Sequence, residues 1–580
     1  MPLVEHTTGT MARDRADSDQ NFELRSHAVG ALPIINAFLD RLGIDDRLRR
    51  AMPADPRARL APAKTLGVVV RNIIEARTPL YALAEWAQAR EAACLELPRG
   101  ALGALNDDRV GRALDRLFDC DRAALASAIA VAAIRRFSIA LDELHNDSTT
   151  LTFDGRYEGA DGKRIRGKAT AKIARGHNKD HRPDLKQLLW ILTVASDGAV
   201  PVHYRVADGN TSDVEPHAAV WDSLVALAGR AGFLYVADSK LCTSENMGHI
   251  ATGGGRFLTV CPRTRLEDQH FREWVRTHRP GWELVRQNGF LPDGSPDAYF
   301  MCEAPWPSAE GYRVVWVLSA SKKARDAQTR QTRIKHASER LDELAARLEG
   351  PKARIRTKAG ADAAARAILA DAATEDYFDI TLQEIAEPAF TQERRGRPDA
   401  QTRYRRKVRV RIKLTWAVRD EAVQAEAASD GMFPLITNDR ALRLGELLDH
   451  YKYQPCLERR HAQLKSGLEV VPMWLKSVAR IEAILLLYFV ALLVRALIER
   501  EIRRRMKDED LETLPLYPED RDCAAPSAER VLAIFGAIQR HQLWDRGRLI
   551  QTFEPELTGT QRRVLSLLGL VSSTYRTPPA

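Results

Sequence analysis

Three acids stand in settings that suit metal-assisted chemistry. Asp147 falls in the β-rich run LHNDSTTLTF, Asp238 closes the short apolar run FLYVADS, and Glu458 lies within YKYQPCLERRHAQLK, residues 451–465. Carboxylates from two strands and one helix can hold two divalent cations. Such pairs sit about 3.5–4 Å apart and clamp the attacking and leaving oxygens of an in-line phosphoryl transfer. Hard oxygen ligands favour Mg²⁺ or Mn²⁺. Each acid also has a plain structural reading. Asp147, beside Ser and Thr, suits a turn or cap; Asp238 suits a cap for the next helix; Glu458 suits the solvated face of an amphipathic helix. Asp142 and Asp154 lie close to Asp147 and remain alternatives for the first acid.

The last stretch carries the densest pattern. Tyr451, Gln454, Glu458 and Lys465 are separated by steps of three, four and seven residues. On an α-helix such steps return to nearly one face. Glu458 and Lys465 are then expected to point the same way, with His461 between them, while Leu457, Leu464 and Leu468 bury on another side. Pro455 fits best in the first turn of a new helix, with 449–454 as a bend. That bend separates Tyr451 and Gln454 from the Glu458 face and leaves the Glu458–Lys465 spacing intact.

The surrounding pattern supplies elements to hold these residues. Residues 1–24 are polar and predict disorder. From 25 to 140, apolar residues recur at helical spacing, punctuated by Pro53, Pro56, Pro62 and Pro79, and predict an all-α N-terminal domain. Residues 141–263 change texture. LHNDSTTLTF, LLWILTVAS and VPVHYRVA predict strands, the last two joined at Asp197-Gly198. Asp208-Gly209-Asn210 predicts a turn, with Thr211, Ser212 or Asp213 capping the next helix. FLYVADS and RFLTVCPR then alternate with helices, giving a mixed α/β core. Residues 264–435 read as an insertion with strands and a long helix. Core helices resume over 436–506, and 507–580 reads as a linker and a small helical tail.

The chain of 580 residues carries 87 Lys and Arg against 78 Asp and Glu, a net charge of +9. That excess is compatible with a polyanionic partner and becomes informative where it is local. The segment 162–186 holds nine cations (Lys163, Arg164, Arg166, Lys168, Lys172, Arg175, Lys179, Arg182 and Lys186) against two acids, with His177 and His181 among them. A second patch includes Arg403, Arg405, Arg406, Lys407, Arg409, Arg411 and Lys413, and KVRVRIK places four cations on one strand face. Both predict contacts to phosphate backbones and salt-dependent binding; a solvated basic loop is the plain alternative for the first. Seven scattered cysteines without a CxxC pair read as reduced thiols. The N-terminal stretch lacks the apolar run of a signal peptide, and Ile481–Ile498, interrupted by Glu482 and Arg495, reads as a buried helix. The expected location is cytoplasmic.

With these residues in place, the chain resembles a bacterial insertion-sequence DDE transposase. One subgroup of that family carries a tyrosine–arginine–glutamate–lysine signature, Y-x2-R-x3-E-x6-K, around its last acid. This chain reads Tyr451-x2-Gln454-x3-Glu458-x6-Lys465, keeping three of the four residues, with Gln454 where the family has Arg. HNDSTTL and YVADS resemble the family's first- and second-aspartate strands. GNTSD (209–213) is a further family-like string, assigned to structure. The likeness covers about 30–500. It implies an RNase H-like α/β core, with Asp147, Asp238 and Glu458 as ligands of two Mg²⁺ or Mn²⁺ ions. It also implies DNA contacts by Tyr451, Gln454 and Lys465. The implied activity is cleavage at element ends and 3′-OH strand transfer into target DNA, by a nucleoid-associated homodimer. A nuclease without strand transfer and a non-catalytic DNA-binding remnant are the alternatives.

Overall fold

The computed structural model describes residues 22–53, 58–180, 182–211, 216–350, 353–468, 470 and 475–576. His181, Ser212, Asp213 and residues 1–21 of the expected N-terminal segment lie outside them. The fold is mixed α/β, with extended sheets flanked by helices, and the chain forms two compact units. One comprises residues up to Tyr235 and from Tyr453 onward; the other spans Val236–Lys452.

The first unit is built around the helix Val478–Asp508. By length and composition this helix is apolar enough to cross a membrane, yet 94% of its most apolar window is buried inside the protein. It packs against the helices Pro62–Glu75 and Asp107–Asp119, so the N-terminal helices and the C-terminal helix share one core. Two of its buried charges are closely paired. Glu482 accepts from Arg122 at 2.6 Å and from the Ala171 N–H at 2.7 Å. Arg500 donates to Asp197 at 2.8 and 2.5 Å. Paired in this way, these charges escape the cost of unpaired burial. The strand β1 (Phe22–Ala28) forms where 22–24 were expected to be disordered. It pairs with Gln539–Asp545, which pairs in turn with Arg548–Phe553. The tail, expected to be linker and helix, therefore contributes two strands to this sheet as well as the helix Gly559–Leu567.

Strands β2 (Glu143–Phe153), β3 (Lys186–Ala195) and β4 (Val200–Ala207) form an antiparallel set in the order β4-β3-β2. β3 is buried along nearly its whole length, as its unbroken apolar run requires. The β3–β4 connection places Gly198 at φ +81° and Ala199 at φ +51°. β5 (Leu234–Ala237) begins beside β2, where the Leu234 N–H donates to the Asp142 carbonyl at 2.8 Å.

The second unit contains β6 (Arg256–Val260), β7 (Glu283–Phe290), β8 (Pro296–Glu303), β9 (Arg313–Ser319), β10 (Phe378–Gln392), β11 (Tyr404–Val418) and β12 (Met432–Thr437). Five of these lie side by side in the order β6-β12-β9-β8-β7. The expected boundary at 263/264 thus falls within a continuous sheet, because β7, β8 and β9 extend it. Pro434 in β12 disguised a central strand, since proline lacks an N–H for the ladder; its carbonyl accepts from the Cys261 N–H at 3.0 Å. β10 and β11, 15 residues each, form a separate hairpin. The helices Ala320–Glu349 and Lys358–Asp371 pack on its base through Leu341, Leu344, Ile368, Leu382, Ile412 and Leu414.

Candidate active site

Asp147 stands in mid-strand, opposite Leu192. Its Oδ1 accepts from the Ser148 N–H at 2.8 Å and lies 3.4 Å from the Lys179 ammonium. Lys179 is anchored more tightly on Ser148, donating to its carbonyl at 2.6 Å and its hydroxyl at 2.8 Å. Asp147 Oδ2 lies 3.7 Å from His461 Nε2, beyond hydrogen-bond range. The two other acids that competed for this role are placed differently. Asp142 precedes β2, exposed and paired with Arg230 at 2.6 Å, and Asp154 follows β2, also exposed. Of the three, Asp147 alone faces the helix that carries Glu458.

That helix, Gln454–Ala462, has Pro455 in its first turn, as expected. It continues directly into a π-helical turn, Gln463–Gly467. Such turns often accompany functional sites. Here the Leu468 N–H donates to the Gln463 carbonyl at 2.7 Å, closing the wider turn. Leu457, Leu464 and Leu468 are buried as expected. Glu458 is exposed and makes no hydrogen bond or ion pair among the described residues. Lys465 donates to Asp180 at 2.7 and 2.8 Å, which brings its ammonium to the loop that carries Lys179. His461 is buried, with its ring against the Asp147 backbone. Burial, reinforced by the nearby charges of Lys179 and Lys465, pushes its pKa down to about 3, so the imidazole is neutral.

A buried arginine holds this helix in place, and its role was not legible in the spacing. Arg460 donates to the carbonyls of Ala199 and Gly198, each at 2.9 Å, to Gln463 at 2.7 Å and to Glu499 at 2.6 Å. The helix is thereby tied to the β3–β4 turn and to the long helix. Tyr453 adds a ring contact with His145, centroids 4.7 Å apart.

The remaining signature residues are divided between this helix and the one before it. Tyr451 ends the preceding helix, Leu444–Tyr451, and rests against the Phe433 ring at 5.4 Å, while Gln454 opens the next helix. The four signature residues therefore occupy two helices and the π turn; the expected bend is confined to 452–453 and sets off Tyr451 alone, while Gln454 stands one turn before Glu458 on the same helix. Asp238 follows β5 and caps the short turn Ser239–Leu241 by accepting from the Lys240 N–H at 3.0 Å. Its carbonyl accepts from the Thr259 hydroxyl at 2.6 Å.

The nominated cations divide into structural and exposed groups. Arg166 donates to Asp119 at 2.6 Å and lies over the Phe118 ring; Lys168 donates to the Cys120 carbonyl; Lys163 pairs with Asp161; Arg164 donates to the Gly167 carbonyl at 2.7 Å. Arg166 and Lys168 thus also fasten the loop to the N-terminal helices, and Arg175 stays exposed. On the hairpin, Arg405, Lys407, Arg409, Arg411 and Lys413 share one face by alternation. Arg411 pairs with Glu387 at 3.1 Å. Arg403 is in the connecting loop. Arg406 lies on the opposite face, whose outer part exposes Phe390, Tyr404 and Val408.

Asp40, Asp45 and Glu96 place three carboxylate oxygens within 4.8 Å of one another. The cation at this cluster belongs to the chain. Arg71, 1% exposed, donates to Asp45 at 2.9 Å and Glu96 at 2.7 Å. Sequence reasoning missed this cluster because its members are spread over four separate segments.

Comparison with known families gives one partial match. A model described as a domain of unknown function, DUF4277, matches residues 24–131, the stretch from β1 through most of the N-terminal helices. No curated protein matches the chain.

Proposed function

We propose that this chain is a DDE-type DNA transposase with an RNase H-like core, acting on double-stranded DNA. The observation that carries the reading is the setting of Asp147. It sits mid-strand against the helix that bears Glu458, and that helix runs into the turn that bears Lys465. The antiparallel set β4-β3-β2 adds support. So does the retained Tyr451-x2-Gln454-x3-Glu458-x6-Lys465 spacing.

Asp147, Asp238 and Glu458 are assigned as holders of two divalent cations, Mg²⁺ or Mn²⁺. Carboxylate oxygens of the kind Asp147 presents in mid-strand, facing the Glu458 helix, are the hard donors that suit Mg²⁺ or Mn²⁺. When bound, such ions supply a nucleophile at neutral pH and offset charge on the phosphate. The chain's own contribution is positioning. Lys179 and Lys465 hold positive charge at the edge of β2, where a phosphate oxygen would exchange for Asp180 or Ser148. Gln454 donates a neutral hydrogen bond where the family has a cation. The exposed face of the β10–β11 hairpin offers Arg405, Lys407 and Lys413 to the DNA backbone, and a two-stranded ribbon matches the width of the major groove. A homodimer on two DNA ends belongs to the same proposal.

The test is metal-dependent cleavage of DNA carrying the element's flanking ends, followed by a joining assay. Wild type is expected to cut and join, and Asp147→Asn, Asp238→Asn and Glu458→Gln each to bind DNA without cutting. Cutting without joining would make the protein a nuclease. Retained cutting in the Asp238→Asn protein would overturn the assignment.

A further inference from the structure

We propose that the cavity beside the π turn Gln463–Gly467 is a phosphate site, with Arg77 and Arg495 as its cationic walls. The cavity measures about 190 Å³, and its lining includes these arginines, Glu75, Glu529, Ile74 and Leu532. Three observations carry the assignment. First, both arginines converge on one neutral acceptor. The Gly467 carbonyl takes a hydrogen bond from Arg77 at 2.8 Å and from Arg495 at 3.2 Å. Two guanidiniums gathered on one oxygen repel each other, and an oxyanion between them offsets that cost. Second, Arg495 is a buried cation short of acceptors. It is 3% exposed, its Nε has no hydrogen-bond partner among the described residues, and its contact with Glu529 spans 3.9 Å. Burial holds its pKa below the usual value; Glu529 and Glu499 oppose this, and Arg77 and Arg460 add to it. Third, Arg77 stands at φ +58° just past the helix Pro62–Glu75, with its N–H on the Asn72 carbonyl at 2.8 Å. Glycine is the ordinary occupant of such a left-handed cap, so an arginine there places its side chain against backbone strain.

The acids nearby leave room for a guest anion. Glu75 is engaged by Arg90 at 3.0 Å, and burial raises its pKa. Glu499 is taken by Arg460 at 2.6 Å. Glu529 is the rival counter-ion, yet its side chain is 62% exposed and it stays beyond hydrogen-bond range of Arg495. Guanidinium groups meet phosphate oxygens with paired N–H donors, which selects a phosphate group over a halide. The cavity is smaller than the roughly 300–1,000 Å³ of sites for drug-sized ligands, so it takes a phosphate group and not a whole nucleotide. Free phosphate and a terminal phosphate on a longer molecule share this chemistry. With the repulsion between its two donors offset, Gly467 is held more firmly, and with it the π turn that bears Lys465.

The probe is inorganic phosphate, titrated by calorimetry into the full-length protein at fixed ionic strength, with neither metal nor DNA present. Wild type is expected to bind one phosphate per chain, with slower hydrogen exchange across 463–468 once it is bound. Arg77→Gln and Arg495→Met are each expected to weaken binding about tenfold or more, since each removes charge-assisted hydrogen bonds. Glu529→Gln, on the surface, is expected to tighten it by removing the competing carboxylate. A dinucleotide carrying a 5′-phosphate is compared with the same dinucleotide lacking it; tighter binding of the phosphorylated form than of inorganic phosphate assigns the site to a terminal phosphate. No binding of inorganic phosphate or the phosphorylated dinucleotide, binding indifferent to Arg495→Met, unchanged exchange, or an affinity unmoved by Glu529→Gln would overturn the proposal. Should Arg495→Met fail to fold, the Glu529→Gln titration decides. Neither result bears on the reading of Asp147.

Discussion

Replacing Arg460 with methionine tests whether its buried network sets the position of the helix that carries Glu458. Arg460 and Glu499 are only 3% and 2% exposed at their side chains and meet at 2.6 Å. The substitution removes four hydrogen bonds at once, two of them to the carbonyls of the β3–β4 turn. Breaking a buried ion pair by removing one partner costs about 3–5 kcal/mol, because a charge is left without its counterpart. The cost here belongs at the lower end of that range. Glu499 keeps donors in Gln463 at 2.9 Å and the Ala528 N–H at 3.1 Å, so it is not fully stranded. The double variant Arg460→Met/Glu499→Gln removes both charges and should recover much of the loss. The pH dependence has a definite sign. Burial pushes the Glu499 carboxyl up, but Arg460 and the Ala528 N–H outweigh it and hold the folded pKa below its usual value. The pair therefore contributes stability above the ordinary Glu range, and that contribution is lost as pH falls through the lowered value. Denaturant titration of wild type, both single variants and the double variant gives the coupling energy. Hydrogen exchange across 454–467 reports whether the helix loosens. A single-variant cost below about 1 kcal/mol, or additive single effects, would refute the reasoning.

Other measurements probe separate links. Gly209→Ala should sharply reduce folded yield, because an added Cβ would stand 1.9 Å from the Gln187 carbonyl oxygen and 2.6 Å from that of Ala174; a normal yield and melting curve would count against the packing. Arg405→Ala/Lys407→Ala/Lys413→Ala should weaken DNA binding and lower the slope of log K against log salt by about 2–3, at about 0.9 per lost phosphate contact; an unchanged slope would remove the hairpin from the interface. In the second unit, Arg265 bridges Glu267 and Glu310. The hydrogen bond from Arg265 brings Glu267 down to about 2; Glu310, though burial opposes it, is also brought to about 2. Both contribute stability above the ordinary Glu value and lose it only as pH falls toward 2. Arg265→Leu should therefore move acid unfolding, followed by tryptophan fluorescence, toward pH 4–5, and an unmoved midpoint would contradict it.

The strands around Asp147 were legible because they are local. LLWILTV is an unbroken apolar run, and Asp197-Gly198 marks its reversal. Asp238 could be placed at a strand end because FLYVA is short and stops at a charge. Glu458 and Lys465 could be put on a helix, but the π turn that carries Lys465 has no spacing signature. Arg460 looked like one more cation on an amphipathic helix. Its buried role depends on Glu499, 39 residues on, and on carbonyls more than 260 residues back. β12 was hidden by Pro434, and β1 by its polar sequence, since an edge strand needs little apolar character. The contacts of Arg166 with Asp119 and of Lys168 with the Cys120 carbonyl were not legible, because nothing in their segment announces those partners.

The pairing of β1 with Gln539–Asp545 also governs when the protein can finish folding. During synthesis the partner strand emerges more than 500 residues after β1, which at about 5–20 residues per second is roughly 25–100 s later. All of Val236–Lys452 is made within that interval and can assemble first. Throughout it β1 offers an open edge to any other strand. Its alternating charges, Glu23 and Arg25 with His27 beyond, discourage a neighbouring ribosome's product from taking the place reserved for the tail.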